Sequence, residues 1–370
     1  MPKYLQHKKT KSIISAKDGR VVYFSFEDFI NKIVEKHRCF ICGVSDKKKP
    51  FNNEHVIPNW ILRSYGTPAS FMILPNQTTI KNSVYTVPCC ENCNTELGKE
   101  LEIPVSKLLK KSYDEVWNEL QKDGRLYLKL FHWIALLFFK THLKDTYLPM
   151  ERDKRKALGT IGETYCWHEM YHVHSIIRQH YSDAKINDKV FGTIVVYEAL
   201  VETEEEEFDY LDNLNSQIVM VKVGRIVILA VLNDSRYCMA CYKTMLNKIS
   251  GPLNSVQIRE LFARFRYLNM NIKKRPTYYT LIDPKKGYHI GARMPKKIEI
   301  LKEHEENISL FKLMRFYIED LMPAELENRE QLVKDLEEGR AQYLFDCDFN
   351  FFQHQSFLEK QQADKNKSLH

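Results

Sequence analysis

The 370-residue chain has no long apolar run. Its best window, residues 126–139, is broken by Lys129 and His132 and is too short and too polar to span a bilayer. No apolar stretch follows the basic start, so neither a signal peptide nor a membrane partner is expected, and the expected location is cytoplasmic. There is no internal repeat and no low-complexity tract. The nine cysteines are odd in number and clustered, which argues against a disulfide framework. In a reducing compartment, paired Cys-x-x-Cys points to metal first.

What is there is ordinary in amount and uneven in place. Apolar residues make up 44% and charged residues 28%, as in soluble globular proteins, and the length allows two or three domains. The net charge of +7 sits in residues 1–110, which hold 17 Lys/Arg against 10 Asp/Glu; residues 111–370 hold 38 of each. A basic segment favours a polyanionic partner, although a solvated basic tail would give the same count.

Along the chain, residues 1–37 read as a basic tail and a lead helix. Ser25 and Asp28 have capping-box spacing, and Phe26, Phe29, Ile30 and Ile33 follow at helical period. Residues 38–112 carry the motifs. Within them, 71–74 and 84–87 read as a hairpin around a polar turn, and 91–111 as a helix. Residues 113–150 read as a helical connector and 151–358 as a larger α+β domain. Its strands are expected at 190–200 and at 218–232, the latter turning at Gly224. A helix is expected at 254–269, a hairpin at 278–290 turning at 284–287, and mainly helix at 296–343. Residues 359–370 read as a polar tail.

The chemistry lies between positions 39 and 102. Cys39-Phe-Ile-Cys42 and Cys90-Glu-Asn-Cys93 supply four thiolates, which suit a tetrahedral Zn²⁺ with no open position. Such a site is structural and worth on the order of 10 kcal/mol in a small zinc domain. Cys89 is an adjacent spare. Between the pairs stands Glu54-His55-Val-Ile-Pro58, and Asn94 follows Cys93 directly. Phosphodiester hydrolysis needs a base for water and a divalent cation for the phosphate. A neutral imidazole suits the first task, and carboxylate and amide oxygens suit the second.

The pattern resembles the HNH, or ββα-metal, endonuclease superfamily, in its four-Cys zinc subgroup with an EHVIP motif. The matching string runs Glu54-His55-Val-Ile-Pro58-x-Trp60, then Cys-x-x-Cys-Asn-x-x-x-Gly98 and Leu101-Glu102. The resemblance covers about residues 38–110. It implies an N-terminal ββα-metal nuclease domain with structural zinc, followed by a larger mixed α+β domain. It further implies His55 as general base, Glu54 and Asn94 as ligands of a catalytic Mg²⁺ or Mn²⁺, and Glu102 as a further ligand or a group beside the ligands. Here Glu replaces the commoner Asp before the His, and the last His of the name-giving motif is absent. The expected partner is DNA, with RNA left open as a substrate. Lys47, Lys48, Lys49, Arg63, Lys81 and Lys99 are candidate phosphate contacts. Bacterial proteins of this layout often resemble anti-phage defence effectors, and a homo-oligomer or an activating partner would act through the C-terminal domain. The alternative is a non-catalytic zinc module that binds nucleic acid or protein.

Two other patterns carry less. His168-Glu169-Met-Tyr-His172 matches the zincin spacing but lacks a clear third ligand, so a His-rich surface or a strand edge is the expected reading. Cys238-Met-Ala-Cys241 reads as a buried pair of reduced cysteines.

Overall fold

The computed structural model describes residues 3–35, 37–65, 71–156, 159–283, 287–301 and 308–353. The architecture is mixed α+β, as expected. The chain divides into two compact units. One comprises Met1–Lys111, Glu115–Val190 and Thr277–Arg293; the other comprises Ser112–Asp114, Phe191–Pro276 and Met294–His370.

The first unit opens with an antiparallel three-stranded sheet, β1 (Tyr4–Gln6), β2 (Ile13–Ser15) and β3 (Val21–Tyr23). Residues 3–24 therefore depart from the expected tail. The reason is Asp28, which is buried and accepts from the hydroxyls of Thr10 and Ser12 while pairing with Lys32 at 2.9 Å. Those bonds tie the segment around β2 to the lead helix α1 (Phe26–Phe29). Ser25 caps α1 by accepting from the Asp28 N–H, as its spacing predicts, but the Asp28 carboxylate goes to the sheet instead of closing the box.

β4 (Phe51–His55) leads into α2 (Asn59–Ser64) and a small hairpin, β5 (Phe71–Ile73) with β6 (Thr79–Lys81). β7 (Thr86–Cys90) does not join that hairpin, as the sequence suggested. It pairs antiparallel with β4, setting Glu54 opposite Val87 and His55 opposite Thr86. Burial explains the choice: Val87, Cys89 and Cys90 are core residues, whereas Phe71 and Ile73 are exposed. α3 (Glu91–Leu97) follows β7 at once. A wide turn over Gly98–Glu102, closed by the Ile103 N–H on the Gly98 carbonyl, joins it to α4 (Ile103–Leu109).

α5 (Tyr113–Lys122) precedes α6 (Arg125–Asp145), the central helix of the unit. From Leu130 to Lys140 every residue of α6 except His132 is buried. A helix apolar on all sides belongs in a core. α7 (Trp167–Ile177) packs on it, with the His174 ring 5.2 Å from that of Phe139, and α8 (Gln179–Ser182) follows. β8 (Lys185–Ile186) pairs in parallel with the second strand of the hairpin Thr277–Asp283/Gly287–Arg293. The division cuts the chain at 190/191, 276/277 and 293/294, and near the expected 112/113 boundary it sets apart only residues 112–114. Residues 167–182 are helical where 157–250 read as strand-rich, because Trp167, Met170, Val173 and Ile177 bury one face at helical period.

The second unit is built on an antiparallel sheet in the order β10-β11-β12-β9, from β9 (Thr193–Glu198), β10 (Phe208–Asn213), β11 (Ile218–Val223) and β12 (Ile226–Val231). The β11–β12 turn falls at Gly224, whose φ of +53° favours glycine. Ile218, Met220, Val227 and Leu229 enter one core with α9 (Tyr237–Leu246), α10 (Ser255–Met270) and α11 (Leu310–Ile318); α12 (Arg329–Glu337) adds Leu336. Asn254 and Gln257 form a complete capping box on α10. Of the Cys238/Cys241 pair only Cys238 is buried, so that expectation holds for one member. The predicted turn residues 284–286 and the tail 359–370 lie outside the described residues.

Candidate metal centre and adjoining cavity

The first Cys-x-x-Cys lies on a tight turn after α1. The Gly43 N–H donates to the Cys39 carbonyl at 2.8 Å, and the Cys39 N–H donates to the Val44 carbonyl at 2.9 Å. Gly43 has φ +72°, and a Cβ there would meet Phe24 at 3.0 Å and Lys32 at 3.2 Å, so the turn needs glycine on both counts. The second pair spans the end of β7 and the first turn of α3. These two turns bring the sulfurs of Cys39, Cys42, Cys90 and Cys93 within 4.8 Å of one another. Cys42 Sγ and Cys90 Sγ are 3.7 Å apart. A tetrahedron with metal–sulfur bonds of about 2.3 Å has edges of about 3.8 Å. The four cysteines therefore stand close enough together to hold a metal ion such as zinc, and among the described residues no other group of three or more potential ligands does so.

Cys89 is the near miss. Its Sγ lies 3.8 Å from Cys39 Sγ. That contact and burial hold the Cys89 thiol well above its ordinary value.

The edge strand of the same sheet carries Glu54 and His55. Glu54, His55, Trp60, Glu102, Ser106 and Lys107 line a cavity of about 400 Å³. Three chain segments meet there: the end of β4, the start of α2, and the wide turn leading into α4. The structure thus brings Glu54, His55 and Glu102 together, although Glu102 lies 48 residues beyond Glu54. Asn94 sits half-buried on α3 and is not among the lining residues. Among the described residues no group bonds the His55 ring.

Lys140 of α6 was missed from sequence, and it dominates the site's electrostatics. Its side chain is 0% exposed. Its ammonium donates to Glu54 Oε1 at 2.8 Å and to the His55 carbonyl at 2.7 Å, and it reaches Glu102 Oε1 at 3.5 Å. Burial works against the Lys140 charge, but the two carboxylates outweigh it and hold the ammonium above its ordinary value. Burial raises Glu102, and the Glu54 charge adds to that, against the pull of Lys140. Among the described residues no donor reaches Oε2 of Glu54 or Glu102. Each carboxylate therefore keeps one oxygen for another partner, and the three groups sum to one negative charge when all are ionised. The sequence signal was a Lys set directly after the apolar run 133–139 of α6, which must find a carboxylate if it is buried.

The candidate DNA contacts are dispersed over the surface. Lys47, Lys48 and Lys49 are exposed, and the first two line an open cleft with Lys32, His37 and Arg38. Arg63 is exposed on α2. Lys81 is exposed on β6, its ammonium 5.9 Å from the Phe71 ring centre, and Lys99 is exposed beside Glu100. The His168/His172 pair lies on α7 and not on a strand edge; His168 is exposed against Phe26, and His172 stacks on Tyr278 with ring centres 4.4 Å apart. No family model matches the chain, and neither a curated protein nor a solved structure matches it.

Proposed function

We propose that residues 38–112 form a zinc-stapled, metal-dependent nuclease domain of the HNH type that hydrolyses phosphodiester bonds in DNA. One observation carries this reading. Glu54, His55 and Glu102 face one cavity, and the His55 ring has no partner among the described residues. The β4–β7–α3 order around the four cysteines supports it, being a two-strand, one-helix arrangement with the acidic-His pair at a strand end.

In this reading His55 takes the proton from the attacking water. Glu54 and Glu102 would hold Mg²⁺ or Mn²⁺ through their free oxygens, and the resemblance adds Asn94 of α3 as a ligand. The bound ion would stabilise the charge growing on the phosphate and help the leaving oxygen. Lys140 fixes both carboxylates and the backbone of His55, so that the base and the acidic pair keep one geometry. Zn²⁺ on Cys39, Cys42, Cys90 and Cys93 would clamp β7 and α3 to the first knuckle. Lys47, Lys48, Lys49, Arg63, Lys81 and Lys99 would add phosphate contacts. The resemblance further suggests a role in anti-phage defence, in a cytoplasmic setting.

A second reading is favoured by Lys140 itself. A buried ammonium already balances half of the acidic charge, as it would in a non-catalytic zinc module. The two readings part on metal binding and turnover. Titration with Mn²⁺, followed by cleavage of supercoiled plasmid, should show metal-dependent nicking by the wild type. Glu54→Gln and Glu102→Gln should weaken Mn²⁺ binding and slow nicking by about 10²-fold or more, for loss of ligands to the ion that carries the charge. Mn²⁺ binding and cleavage that are indifferent to both changes would refute the assignment.

A further inference from the structure

The helix α4 turns one side to the core and the other to solvent. Val105, Leu108 and Leu109 are buried, whereas Ile103, Lys107 and Lys110 are exposed. Spacings of four and then three residues set these last three side chains on one face. Ile103 keeps 53% exposure, so this face offers apolar surface as well as charge. Ile103 and Lys107 line the cavity that holds Glu54, His55 and Glu102. Lys110, which ends the helix, has its ammonium 5.9 Å from the centre of the Trp60 ring, and Trp60 is another wall of the same cavity. The attraction of a cation for an aromatic face favours that position on the rim.

Charge balance sets these two lysines apart from their neighbours. Lys111 pairs with Glu119, and Lys99 lies 3.8 Å from Glu100. Among the described residues no carboxylate pairs with Lys107 or Lys110. Lys47, Lys48, Lys49, Arg63, Lys81 and Lys99 are all absent from the cavity lining, so Lys107 is the cation nearest the acidic pair after the buried Lys140. Two unpaired ammonium groups a turn apart suit a ligand whose negative charges recur at a similar interval. From Glu102 to Lys110 a helical path rises by about 12 Å. That is roughly three steps of a B-DNA strand at about 3.4 Å each.

We propose that Lys107 and Lys110 hold phosphates of a nucleic-acid strand that leaves the cavity along the exposed face of α4, with Ile103 against the sugar or base beside the reacting phosphate. The proposal rests on the phosphodiester substrate inferred above and goes beyond it. It fixes the side of the cavity that the strand takes, and it makes the substrate a polynucleotide that extends past the scissile bond by at least two phosphates. Contacts of this kind position the strand without reading its sequence.

The test compares full chains of wild type, Lys107→Gln/Lys110→Gln, Lys107→Arg/Lys110→Arg and Lys8→Gln/Lys9→Gln. Lys8 and Lys9 are exposed between β1 and β2, so the last variant makes the same charge change elsewhere in the unit. Binding of labelled duplex DNA is read by fluorescence anisotropy in EDTA, from about 50 to about 200 mM salt. Each phosphate contact contributes about 0.9 to the slope of log affinity against log salt, so Lys107→Gln/Lys110→Gln should lower the slope by about 1.8. It should also weaken binding about tenfold, alike for unrelated sequences. The arginine pair should keep the slope, and Lys8→Gln/Lys9→Gln should leave it within about 0.5 of wild type. An unchanged slope in Lys107→Gln/Lys110→Gln, an equal loss in both glutamine pairs, or a wild type that binds no DNA would overturn the proposal. Displacement of the DNA by polyglutamate at equal charge would assign the face to an acidic protein segment and overturn it too. Plasmid nicking in Mn²⁺ is measured alongside. The predicted binding pattern without nicking counts against the nuclease and leaves the strand path standing, whereas nicking with a slope indifferent to Lys107 and Lys110 does the reverse.

Discussion

Replacing Lys140 by Met keeps the length and apolar character of the side chain and removes only the ammonium. That group sits 2.8 Å from Glu54 Oε1 and 3.5 Å from Glu102 Oε1. With an effective dielectric constant near 20, the two attractions are about 6 and about 5 kcal/mol before desolvation. Burying the ammonium offsets most of that gain, so the net worth of the cluster is small. Removing one partner is different, because two carboxylates then face each other with no cation between them. Breaking a buried pair in this way costs about 3–5 kcal/mol. The lower end applies here, since the carboxylates keep 15% and 17% exposure and can gather water. In a unit of this size that corresponds to a fall in Tm of roughly 10 °C. Scanning calorimetry of wild type and Lys140→Met checks it. Two controls sharpen the result. Adding Glu102→Gln to Lys140→Met should restore part of the loss, and Mn²⁺ should raise the Tm of Lys140→Met more than that of the wild type. A Lys140→Met protein that melts within about 1 °C of wild type would refute the account of a charge-balanced cluster.

Further predictions concern the metal, pH and a helix cap. Cys90→Ser should abolish stoichiometric zinc, measured by elemental analysis, whereas Cys89→Ser should retain it, because Cys89 lies beside a ligand and is not one of the four. Hydrogen bonds from Ser12, Lys32 and Thr10 hold Asp28 below its ordinary value against the opposing effect of burial. Its stabilisation is therefore fully present above the unfolded carboxyl value of about 3.9 and is lost as pH falls through the lower folded value. Acid unfolding of Asp28→Asn should lack that component, and an acid profile parallel to wild type would contradict the assignment. Asn254→Ala should cost about 1 kcal/mol by urea denaturation through loss of the α10 cap.

The sequence made the cysteine cluster legible because metal ligation imposes short, fixed spacings that survive as text. The same holds for Ser25 and for the Gly224 turn, both local signals. What stayed hidden came from contacts between distant segments. β7 was assigned to the wrong neighbour because 71–74 lies closer in sequence, while the pairing with β4 is decided by the burial of Val87, Cys89 and Cys90. The first 24 residues read as a tail because their anchor, Asp28, collects hydroxyls from 16 and 18 positions away. Lys140 lies 86 residues from the Glu54 carboxylate it bonds, and its place after an apolar run does not say which group it meets. The motif names both Asn94 and Glu102, and of the two only Glu102 is among the lining residues of the cavity.

The most direct test of the central claim is the rate at which zinc-loaded wild type and His55→Ala nick supercoiled plasmid, in Mn²⁺ and in EDTA. The account predicts nicking by wild type in Mn²⁺ only, a fall of about 10²–10⁴-fold in His55→Ala, and equal zinc content and DNA binding in the two proteins. Equal cleavage by both proteins, or DNA binding by wild type with no metal-dependent nicking, would contradict it.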